Sequence, residues 1–491
     1  MKRIKYLLVL VPVLAAAQAP SGRVYLTGKD LASWRSPLGT WQVAGDAFMR
    51  SDDPKRLGSE SGEGALINGA DGKTTNLISQ AEFADARIHV EFMMAAGSNS
   101  GVYVQGRYEM QVYDSWGVSK PGYLDCGGIY QRWDDSREPK GYEGYAPAVN
   151  ASLPPGEWQT FDALFRAPRF VHGRKTEPAR FVKMVHNGLV VHRDVAVSGP
   201  TRSSTYNDEQ PLGPLMLQGD HGPVAFRNIW VAPLHENDFF AMDTGTRDER
   251  HRSIAEQVAM VKSAGFDGID HTGCDKLAEK LYHVTRNGLT LYAIYLDGRI
   301  DGDKPAFNPG LQQACAMLRG RETKLWLPLQ SIQHAPSSAA GDEAALKVIR
   351  QVADMAASAG LEVVLYPHYG FWMERVEDAL RLAKKAERAN VGVTFNLCHW
   401  LRVGGGENYA GLWQEIKPYL KLVTLNGADS HGDWKQLIQP LDSGSFDVKK
   451  LLKTLREAGY QGPIGLQGYG IGGDVQQNLS RSITAWRRMN Q

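Results

Sequence analysis

Polar and apolar side chains alternate in the run 108–114, which reads YEMQVYD. In an extended strand successive side chains alternate between two faces, so the apolar Met110 and Val112 would share the buried face. The opposite face would then carry a carboxylate, an amide and a phenol: Glu109, Gln111 and Tyr113. In a continuous strand Asp114 would share the buried face with the apolar pair. It joins the polar group only if the strand ends at Tyr113. Such a face could transfer protons, or it could only hydrogen-bond the hydroxyl groups of a sugar, as a lectin does.

A second polar group lies around residue 220. Alternation in the run 214–218 places the amide of Gln218 on the open side of a strand. The following Gly-Asp-His-Gly sequence predicts a tight turn that carries His221 at the edge of the sheet. Alternation in the next strand directs Arg227 away from the core. We therefore expect Gln218, His221 and Arg227 to share a face with Glu109.

The elements that must position these groups differ between the two halves of the chain. From about residue 24 to 234, short runs of alternating polarity are separated by Gly, Pro, Asn and Asp, which predicts an antiparallel β-sandwich. The segment 133–155 is rich in Gly, Pro and Tyr and predicts a long loop. After residue 234, eight strand-like runs alternate with amphipathic helices, which predicts a complete (β/α)8 TIM barrel. The expected organisation is a multidomain chain, with a β-sandwich at 20–234 and a barrel at 235–491.

The N-terminal residues have the layout of a cleavable secretory signal peptide. Basic side chains precede the apolar run 6–17 and small residues follow it, so we expect cleavage after Ala19. The formal net charge is +1 over 491 residues with no long basic run, which argues against a nucleic-acid partner. No later segment reaches the ~20 apolar residues of a membrane helix. We expect a periplasmic or secreted protein that does not insert into the membrane.

Candidate residues in the barrel are those at the carboxyl ends of its strands, where TIM barrels place their chemistry. The last four predicted strands end in a phenol, amides and imidazoles, with aromatic residues close by in the sequence. Such groups can bind a sugar. The candidate sugar-binding residues are Tyr366, His368, Asn396, His399, Asn426 and Gln467.

The first half resembles the 3-keto-disaccharide hydrolase family, formerly a domain of unknown function. The matching pieces occur in the family's order: Asn99-Ser100-Gly101, YEMQVYD, Gly127-Gly128-Ile129-Tyr130, Pro155-Gly156-Glu157-Trp158, and Leu217-Gln218-Gly219-Asp220-His221-Gly222 leading to Phe226-Arg227-Asn228-Ile229. Departures are Gln159, where the family usually has Asn, and the long loop from Trp133. The resemblance implies a concanavalin-like jelly roll. It also implies cleavage of glycosides oxidised to a ketone at C3, by elimination with hydration or by net hydrolysis.

Such a reaction needs one positioned base. A ketone at C3 acidifies the hydrogen on C2, and the enolate formed by its removal can expel the substituent on C1. His221 is one candidate base, with Arg227 or Gln218 to stabilise the enolate oxygen. Alternatively Glu109 is the base and His221 protonates the leaving group. A conventional pair of catalytic carboxylates is less attractive, because alternation would place Glu109 and Asp114 on opposite faces of the strand.

The second half resembles the xylose-isomerase-like family of sugar isomerases and epimerases. The runs that carry the resemblance are VVLYPH, VGVTFNLCHW, LVTLNGAD and PIGLQGYG. In that family two Glu, an Asp and a His usually bind a divalent metal, whereas the matching positions here are Tyr366, Asn396, Asn426 and Gln467. Hard cations favour carboxylate oxygens, so we expect no metal cofactor and no metal-dependent isomerase activity. A softer metal held by His368 and His399 is the alternative.

Three functions are compatible with these observations. The leading hypothesis is cleavage of 3-keto-glycosides at the sandwich, with the barrel processing or holding the ketosugar. A second is a sugar isomerase, epimerase or hydratase in the barrel, with the sandwich as a carbohydrate-binding module. A third is a glycan-binding protein without catalytic activity.

Overall fold

The computed structural model describes residues 22–69, 71–171, 173–234, 237–302, 306–406 and 408–490. An antiparallel β-sandwich is followed by a closed barrel of eight parallel strands surrounded by helices, which confirms the predicted fold class. The predicted signal peptide lies outside the described residues. Within the described ranges, none of the helices combines the length and the apolar character needed to cross a membrane.

The sandwich has two antiparallel layers. Its strands are β1 (Val24–Tyr25), β2 (Gln42–Met49), β3 (Leu57–Ile67), β4 (Leu77–Phe83), β5 (Ala86–Met94), β6 (Asn99–Val104), β7 (Tyr108–Tyr113), β8 (Arg132–Trp133), β9 (Gly141–Tyr142), β10 (Gln159–Arg166), β11 (Arg169–Val171), β12 (Arg174–Glu177), β13 (Ala179–His186), β14 (Leu189–Val197), β15 (Gly213–Leu217) and β16 (Val224–Pro233). The large sheet has the order β14-β13-β10-β5-β16-β3-β2, with β1 also paired to β16, and the small sheet has the order β4-β15-β6-β7.

Alternating apolar residues fill the space between the two sheets. Val90 and Phe92 of β5 pack there together with Met110 and Val112 of β7. The segment that follows β7 is only partly a loop. Gly127 donates a backbone hydrogen bond to the carbonyl of Gln111, and the N–H of Gln111 donates to the carbonyl of Gly128, both at 2.9 Å. The insertion thus extends the small sheet beyond β7, and its remainder contains the hairpin β8-β9.

The barrel follows the predicted alternation of strands and helices. Its strands are β17 (Phe239–Ala241), β18 (Gly268–Thr272), β19 (Thr290–Tyr295), β20 (Lys324–Leu327), β21 (Val363–Leu365), β22 (Val391–Asn396), β23 (Leu420–Leu425) and β24 (Ile464–Leu466). Its helices are α1 (Ile254–Ala264), α2 (Leu277–Arg286), α3 (Leu311–Leu318), α4 (Asp342–Ser358), α5 (Val376–Ala386), α6 (Leu397–Arg402), α7 (Tyr409–Ile416), α8 (Trp434–Leu437), α9 (Val448–Glu457) and α10 (Val475–Met489). Two 3₁₀ turns, Asp243–Gly245 and Ala339–Gly341, complete it.

Local sequence explains where the barrel helices begin and end. Helix α1 starts after a capping box in which Ser253 and Glu256 each accept a hydrogen bond from the other residue's backbone N–H. It ends at Gly265, whose φ of 93° is readily adopted by glycine. The chain therefore turns directly from α1 into β18.

The two domains meet through the outer face of the large sheet and the amino ends of the barrel strands. Several ion pairs cross this interface, among them Arg23 with Asp267, Glu91 with Lys262, and Lys183 with Glu322. Asp267 and Glu322 lie just before β18 and β20, so the contact is at the amino end of the barrel. The outer face of the small sheet and the carboxyl ends of the barrel strands consequently face opposite ends of the molecule.

Candidate active site

The outer face of the small sheet carries polar side chains on adjacent strands. Strand pairing aligns Glu109 of β7 with Tyr103 of β6. The next row aligns Gln111 with Gly101, whose carbonyl accepts a hydrogen bond from the backbone N–H of Gln218 at 2.9 Å. The structure therefore brings Glu109, Gln111 and Gln218 to one face, as the alternation of the sequence predicts.

Glu109 is a buried carboxyl group in the middle of this face, with only 3% of its surface exposed. Burial raises its pKa, a hydrogen bond with Tyr103 lowers it, and the negative charge of Asp220 raises it, so that the pKa is about 8. A Cβ atom at Gly101 would overlap the Glu109 carboxylate, so the carboxylate occupies space that only glycine leaves free. A carboxyl group with this pKa exists in both protonation states near neutral pH, as a general base requires.

Two tyrosines surround the Glu109 carboxylate. Tyr103 is buried, and its hydroxyl can donate either to the carbonyl oxygen of Arg202, which is 3.2 Å away, or to the Glu109 carboxylate. Burial, followed by the charge of Glu109, raises the pKa of Tyr103 well above its usual value, so the hydroxyl stays protonated. Burial, followed by the charge of Glu109, raises the pKa of Tyr130, and the backbone N–H of Tyr130 donates to the carbonyl of Glu109 at 3.1 Å. Neither tyrosine is among the predicted site residues, although alternation along its strand places Tyr103 on the open face.

The turn 219–222 lies beside this face at the end of β15. Asn68 fixes it, because its side-chain amide donates to the carbonyls at both ends of the turn at 3.1 and 2.8 Å. Nδ1 of His221 lies 2.5 Å from Oδ1 of Asp220, and both side chains are about half exposed. The charge of Asp220 contributes to the raised pKa of Glu109. The structure thus places an imidazole–carboxylate pair at the rim of the face that holds Glu109.

The two amides of the face differ in their freedom to bind a ligand. Nε2 of Gln111 donates to Oδ1 of Asn99 at 3.1 Å and to the carbonyl of Leu124 at 3.2 Å, so this amide is fixed by the protein. Among the described residues, the side-chain amide of Gln218 has no hydrogen-bond partner, although the residue is only 6% exposed. Gln218 is therefore the amide that is available to a ligand.

The end of β7 holds the last two predicted residues of the sandwich. Tyr113 is the final residue of the strand and its ring is partly exposed. Asp114 follows the strand, and its Oδ2 accepts a hydrogen bond from the backbone N–H of Gly97 at 2.8 Å. The Asp114 carboxylate stabilises the turn before β6, so its placement supports a structural role.

The prediction that Arg227 shares a face with Glu109 is wrong. Arg227 lies on β16 of the large sheet and points out of the sandwich on the opposite side of the core. Its guanidinium donates to Glu91 at 2.7 Å and to Asp46 at 3.2 Å, and it stacks on Trp158 at 4.1 Å. Alternation identified an outward side chain, but it could not identify the sheet to which the strand belongs.

A cavity of about 530 Å³ lies between the two domains. His89, Trp230 and Lys324 are among its lining residues, and none of the residues predicted to bind or cleave a substrate lines it. Burial opposes the charged form of His89, but the carboxylates of Asp162 and Glu91 outweigh this effect and raise its pKa to about 9. Glu91 also pairs with Lys262 of the barrel, so these charged groups connect the two domains.

At the carboxyl ends of the barrel strands, Tyr366 and Asn396 form a buried pair. Nδ2 of Asn396 donates to the Tyr366 hydroxyl at 2.6 Å. Oδ1 of Asn396 accepts from the backbone N–H of His399 at 3.2 Å and from the thiol of Cys398 at 3.0 Å. Asn396 therefore acts as the N-cap of α6, and its side-chain oxygen already has two donors.

The two predicted histidines of the barrel lie side by side with ring centroids 4.0 Å apart. Nδ1 of His368 donates to the carbonyl of Tyr369 at 2.8 Å, which leaves Nε2 as the basic nitrogen. Burial lowers the pKa of both rings, and His368 further lowers that of His399. Both imidazoles are therefore neutral near pH 7, which suits a hydrogen-bonding or proton-accepting role.

The residues that match the metal ligands of the xylose-isomerase-like family do not form a site for a hard cation. Oε1 of Gln467 accepts from the backbone N–H of Tyr469 at 3.0 Å. The amide nitrogen of Asn426 donates to two carbonyls, and its oxygen has no partner among the residues that the structure describes. Burial keeps the Tyr366 phenol protonated by raising its pKa well above the usual value. With no carboxylate at these positions, the donor set does not fit Mg²⁺ or Mn²⁺.

Comparison with known proteins identifies both halves of the chain. Residues 23–232 match the family described as 3-keto-alpha-glucoside-1,2-lyase-like domain, and residues 258–488 match the family described as xylose isomerase-like TIM barrel. The protein therefore consists of a 3-keto-glucoside lyase-like domain followed by a xylose isomerase-like barrel, as its motifs indicate.

Individual relatives cover one half each. A putative hydroxypyruvate isomerase from Mus musculus is 24% identical over 206 residues, which are 39% of this chain and 70% of that protein. The structure of a 3-keto-D-glucoside 4-epimerase from E. coli is 20% identical, covers 52% of this chain and 100% of its own, and has a TM-score of 0.44. A putative glycosyl hydrolase from Parabacteroides distasonis is 25% identical, covers 47% of this chain and 94% of its own, and has a TM-score of 0.32.

Proposed function

We propose that the outer face of the small sheet cleaves 3-keto-glycosides, with Glu109 as the base that removes the hydrogen from C2. The observation that carries this proposal is the buried Glu109 carboxyl group, with a pKa of about 8, among hydrogen-bonding groups. The match of residues 23–232 to a 3-keto-alpha-glucoside-1,2-lyase-like domain supports the substrate class. The chain is on this account a carbohydrate-active enzyme.

The reaction proceeds by elimination and hydration. The Glu109 carboxylate takes the proton from C2, and the electron pair forms an enolate with the C3 carbonyl. Collapse of the enolate restores the C3 ketone, forms a C1–C2 double bond and breaks the bond from C1 to the leaving oxygen. Water then adds its hydroxyl group to C1 and gives its other proton to the group that protonated the leaving oxygen, while Glu109 returns the proton to C2. The net result is hydrolysis to a free 3-ketosugar.

Two further groups assist these steps. The Asp220 carboxylate orients the His221 ring through Nδ1, and within the described residues Nε2 of His221 has no partner. His221 therefore protonates the leaving oxygen, and Glu109 is the better base because it is buried and has the raised pKa. The free amide of Gln218 donates to the enolate oxygen.

The test compares full-length variants on a 3-keto-glucoside with a chromophoric leaving group. Glu109→Gln should lower kcat by about 10²–10⁴-fold, the usual contribution of a general base. Glu60→Gln alters an exposed carboxylate of the large sheet and should keep the wild-type rate. The proposal fails if Glu109→Gln releases the chromophore as fast as Glu60→Gln.

The leaving group separates the roles of Glu109 and His221. A nitrophenolate departs without protonation, so His221→Ala should have a small effect on its release. With an alkyl alcohol as leaving group, the same variant should lose much more activity. An equal loss with both leaving groups would assign His221 to the proton removal at C2 instead.

Arg227→Gln tests the corrected placement of that residue. Because Arg227 lies on the other sheet, its loss should leave kcat unchanged and lower the melting temperature, since it pairs with the buried Glu91. A lower kcat in a variant that melts like the wild type would indicate instead that Arg227 belongs to the active site.

We also propose that the protein is exported, on the basis of its N-terminal layout. N-terminal sequencing of the protein recovered from the periplasm should begin at Pro20. Recovery of the chain with residues 1–19 intact in the cytoplasm would refute export.

A further inference from the structure

The cavity between the two domains takes no part in the proposed cleavage. Its volume of about 530 Å³ lies in the range of about 300–1,000 Å³ that is typical of ligand sites, which occur preferentially at domain interfaces. One wall is the outer face of the large sheet, which contributes Asp162, Lys183 and Trp230. The other wall is the amino end of the barrel, where Thr290 and Lys324 begin their strands. A ligand in this space would therefore contact both domains.

Positive charge predominates around this cavity. Of the described residues that line it, eight are Lys or Arg and four are Asp or Glu. Burial opposes the charged form of His89, but two neighbouring carboxylates outweigh this effect, so His89 adds a further positive charge near neutral pH. Lys417 and Arg487 lie at the exposed edge of the cavity, and neither forms an ion pair with a residue that the structure describes.

The carboxylates at this interface are shared between cations. Two of them each pair with two basic side chains: Glu362 with Lys324 and Lys421, and Glu322 with Lys183 and Arg193. Each carboxylate can therefore balance only one of its two cations. Because charge that is removed from water without a full counter-charge is unfavourable, the excess favours an anion in the cavity.

The size of the cavity and the distribution of its charges indicate the chemistry of the ligand. Cations lie on both walls, with Lys183 on the sheet and Lys324 on the barrel, so one small inorganic ion would neutralise only part of the excess. An organic molecule with two or more carboxylate or phosphate groups can contact both walls. The side chains of Thr290 and Gln461 also line the cavity and can hydrogen-bond the uncharged part of such a molecule.

We infer that the cavity between the domains binds a small organic anion that carries two or more carboxylate or phosphate groups and contacts the sheet and the barrel at once. This site lies at the amino end of the barrel, whereas TIM barrels place their active sites at the carboxyl end. Because the anion joins the two walls, its binding stabilises the folded protein. The inference does not depend on the proposed cleavage, since no residue of the candidate active site lines the cavity.

Isothermal titration calorimetry of the full-length protein measures this binding. The probes are citrate for carboxylates and fructose 1,6-bisphosphate for phosphates, with fructose and inorganic phosphate as controls. Ionic strength is held constant, because salt screens these charges. At least one of the two organic anions should bind ten-fold or more tightly than either control, and the preference between them identifies the anionic group. The melting temperature should rise with the concentration of the anion that binds.

Two lysines of the cavity locate the site. Lys417 is exposed, and Lys421 shares its carboxylate partner with Lys324, so that replacing both leaves this carboxylate paired. The Lys417→Gln/Lys421→Gln variant should bind the anion about ten-fold more weakly or worse, because hydrogen bonds between charged groups are strong. The matched control is Lys435→Gln/Lys449→Gln, which removes the same charge from exposed residues that do not line the cavity. It should bind like the wild type.

Chemical modification gives the location independently of the variants. The bound anion should protect Lys417 and Lys421 from acetylation, read by mass spectrometry, and leave acetylation of Lys449 unchanged. Chromophore release by the Lys417→Gln/Lys421→Gln variant should equal that of the wild type, because neither lysine belongs to the candidate active site. Failure of the proposed cleavage would therefore leave the binding results unaffected.

Two results would overturn the inference. One is that neither citrate nor fructose 1,6-bisphosphate binds the wild type more tightly than fructose and inorganic phosphate do. The other is binding of undiminished affinity by the Lys417→Gln/Lys421→Gln variant, without protection of the two lysines in the wild type. Such binding would occur at a different surface of the protein.

Discussion

The pH dependence of cleavage gives the sharpest prediction about Glu109. Its pKa is about 8 instead of the ordinary 4.5, and at about 1.4 kcal/mol per unit this shift corresponds to roughly 5 kcal/mol against the charged form. A base with this pKa is about one-tenth ionised at pH 7 and about nine-tenths ionised at pH 9. The value of kcat/KM should therefore rise about ten-fold over this range and then level off.

Two substitutions should move the midpoint of this profile in opposite directions. Tyr103→Phe removes the hydrogen bond that lowers the pKa of Glu109, so the midpoint should move to higher pH. Asp220→Asn removes a negative charge that raises the pKa, so the midpoint should move to lower pH. The assay is the rate of chromophore release from a 3-keto-glucoside between pH 6 and 10, at constant ionic strength.

Opposite shifts would be hard to explain by structural damage, which lowers rates without a preferred direction in pH. The reasoning is refuted if both variants keep the wild-type midpoint or shift it in the same direction. It is also refuted if wild-type activity falls as the pH rises through about 8, because a protonated group would then be required.

Two other outcomes follow from the structure. Gly101→Ala should abolish most cleavage, because the added Cβ overlaps the Glu109 carboxylate, and kcat for chromophore release measures this. The pKa of His89 is raised to about 9, so its contribution to stability is complete below its unfolded pKa of about 6.5 and lost as the pH rises through about 9. Melting temperature should accordingly fall more between pH 7 and 10 in the wild type than in Asp162→Asn, which lacks the carboxylate beside His89.

Strand alternation was sufficient to predict much of the candidate site. It separated Glu109 and Gln111 from Met110, because one face of β7 packs in the core. It failed for Arg227, since an outward side chain can lie on either sheet and pairing between distant strands decides which. Tyr103 was missed because a tyrosine in an apolar run is typical of the core. Its role follows only from its alignment with Glu109 across two strands.

In the barrel, too, the sequence predicted the elements but not the contacts of their side chains. Its eight strands and their order followed from the repeating pattern of strands and helices, and motifs identified the polar strand ends. The partners of those side chains could not be predicted. Asn396 caps α6 and Gln467 binds the backbone of Tyr469, so both amides already have protein partners.

The most direct test of the central claim compares a 3-keto-glucoside with the unoxidised glucoside that has the same chromophoric leaving group. Release is measured at pH 9 with wild-type and Glu109→Gln protein. We expect rapid release only from the 3-keto-glucoside and only with the wild type, because the ketone makes the hydrogen on C2 acidic and Glu109 removes it. Equal release from the unoxidised glucoside, or undiminished release by Glu109→Gln, would contradict the account.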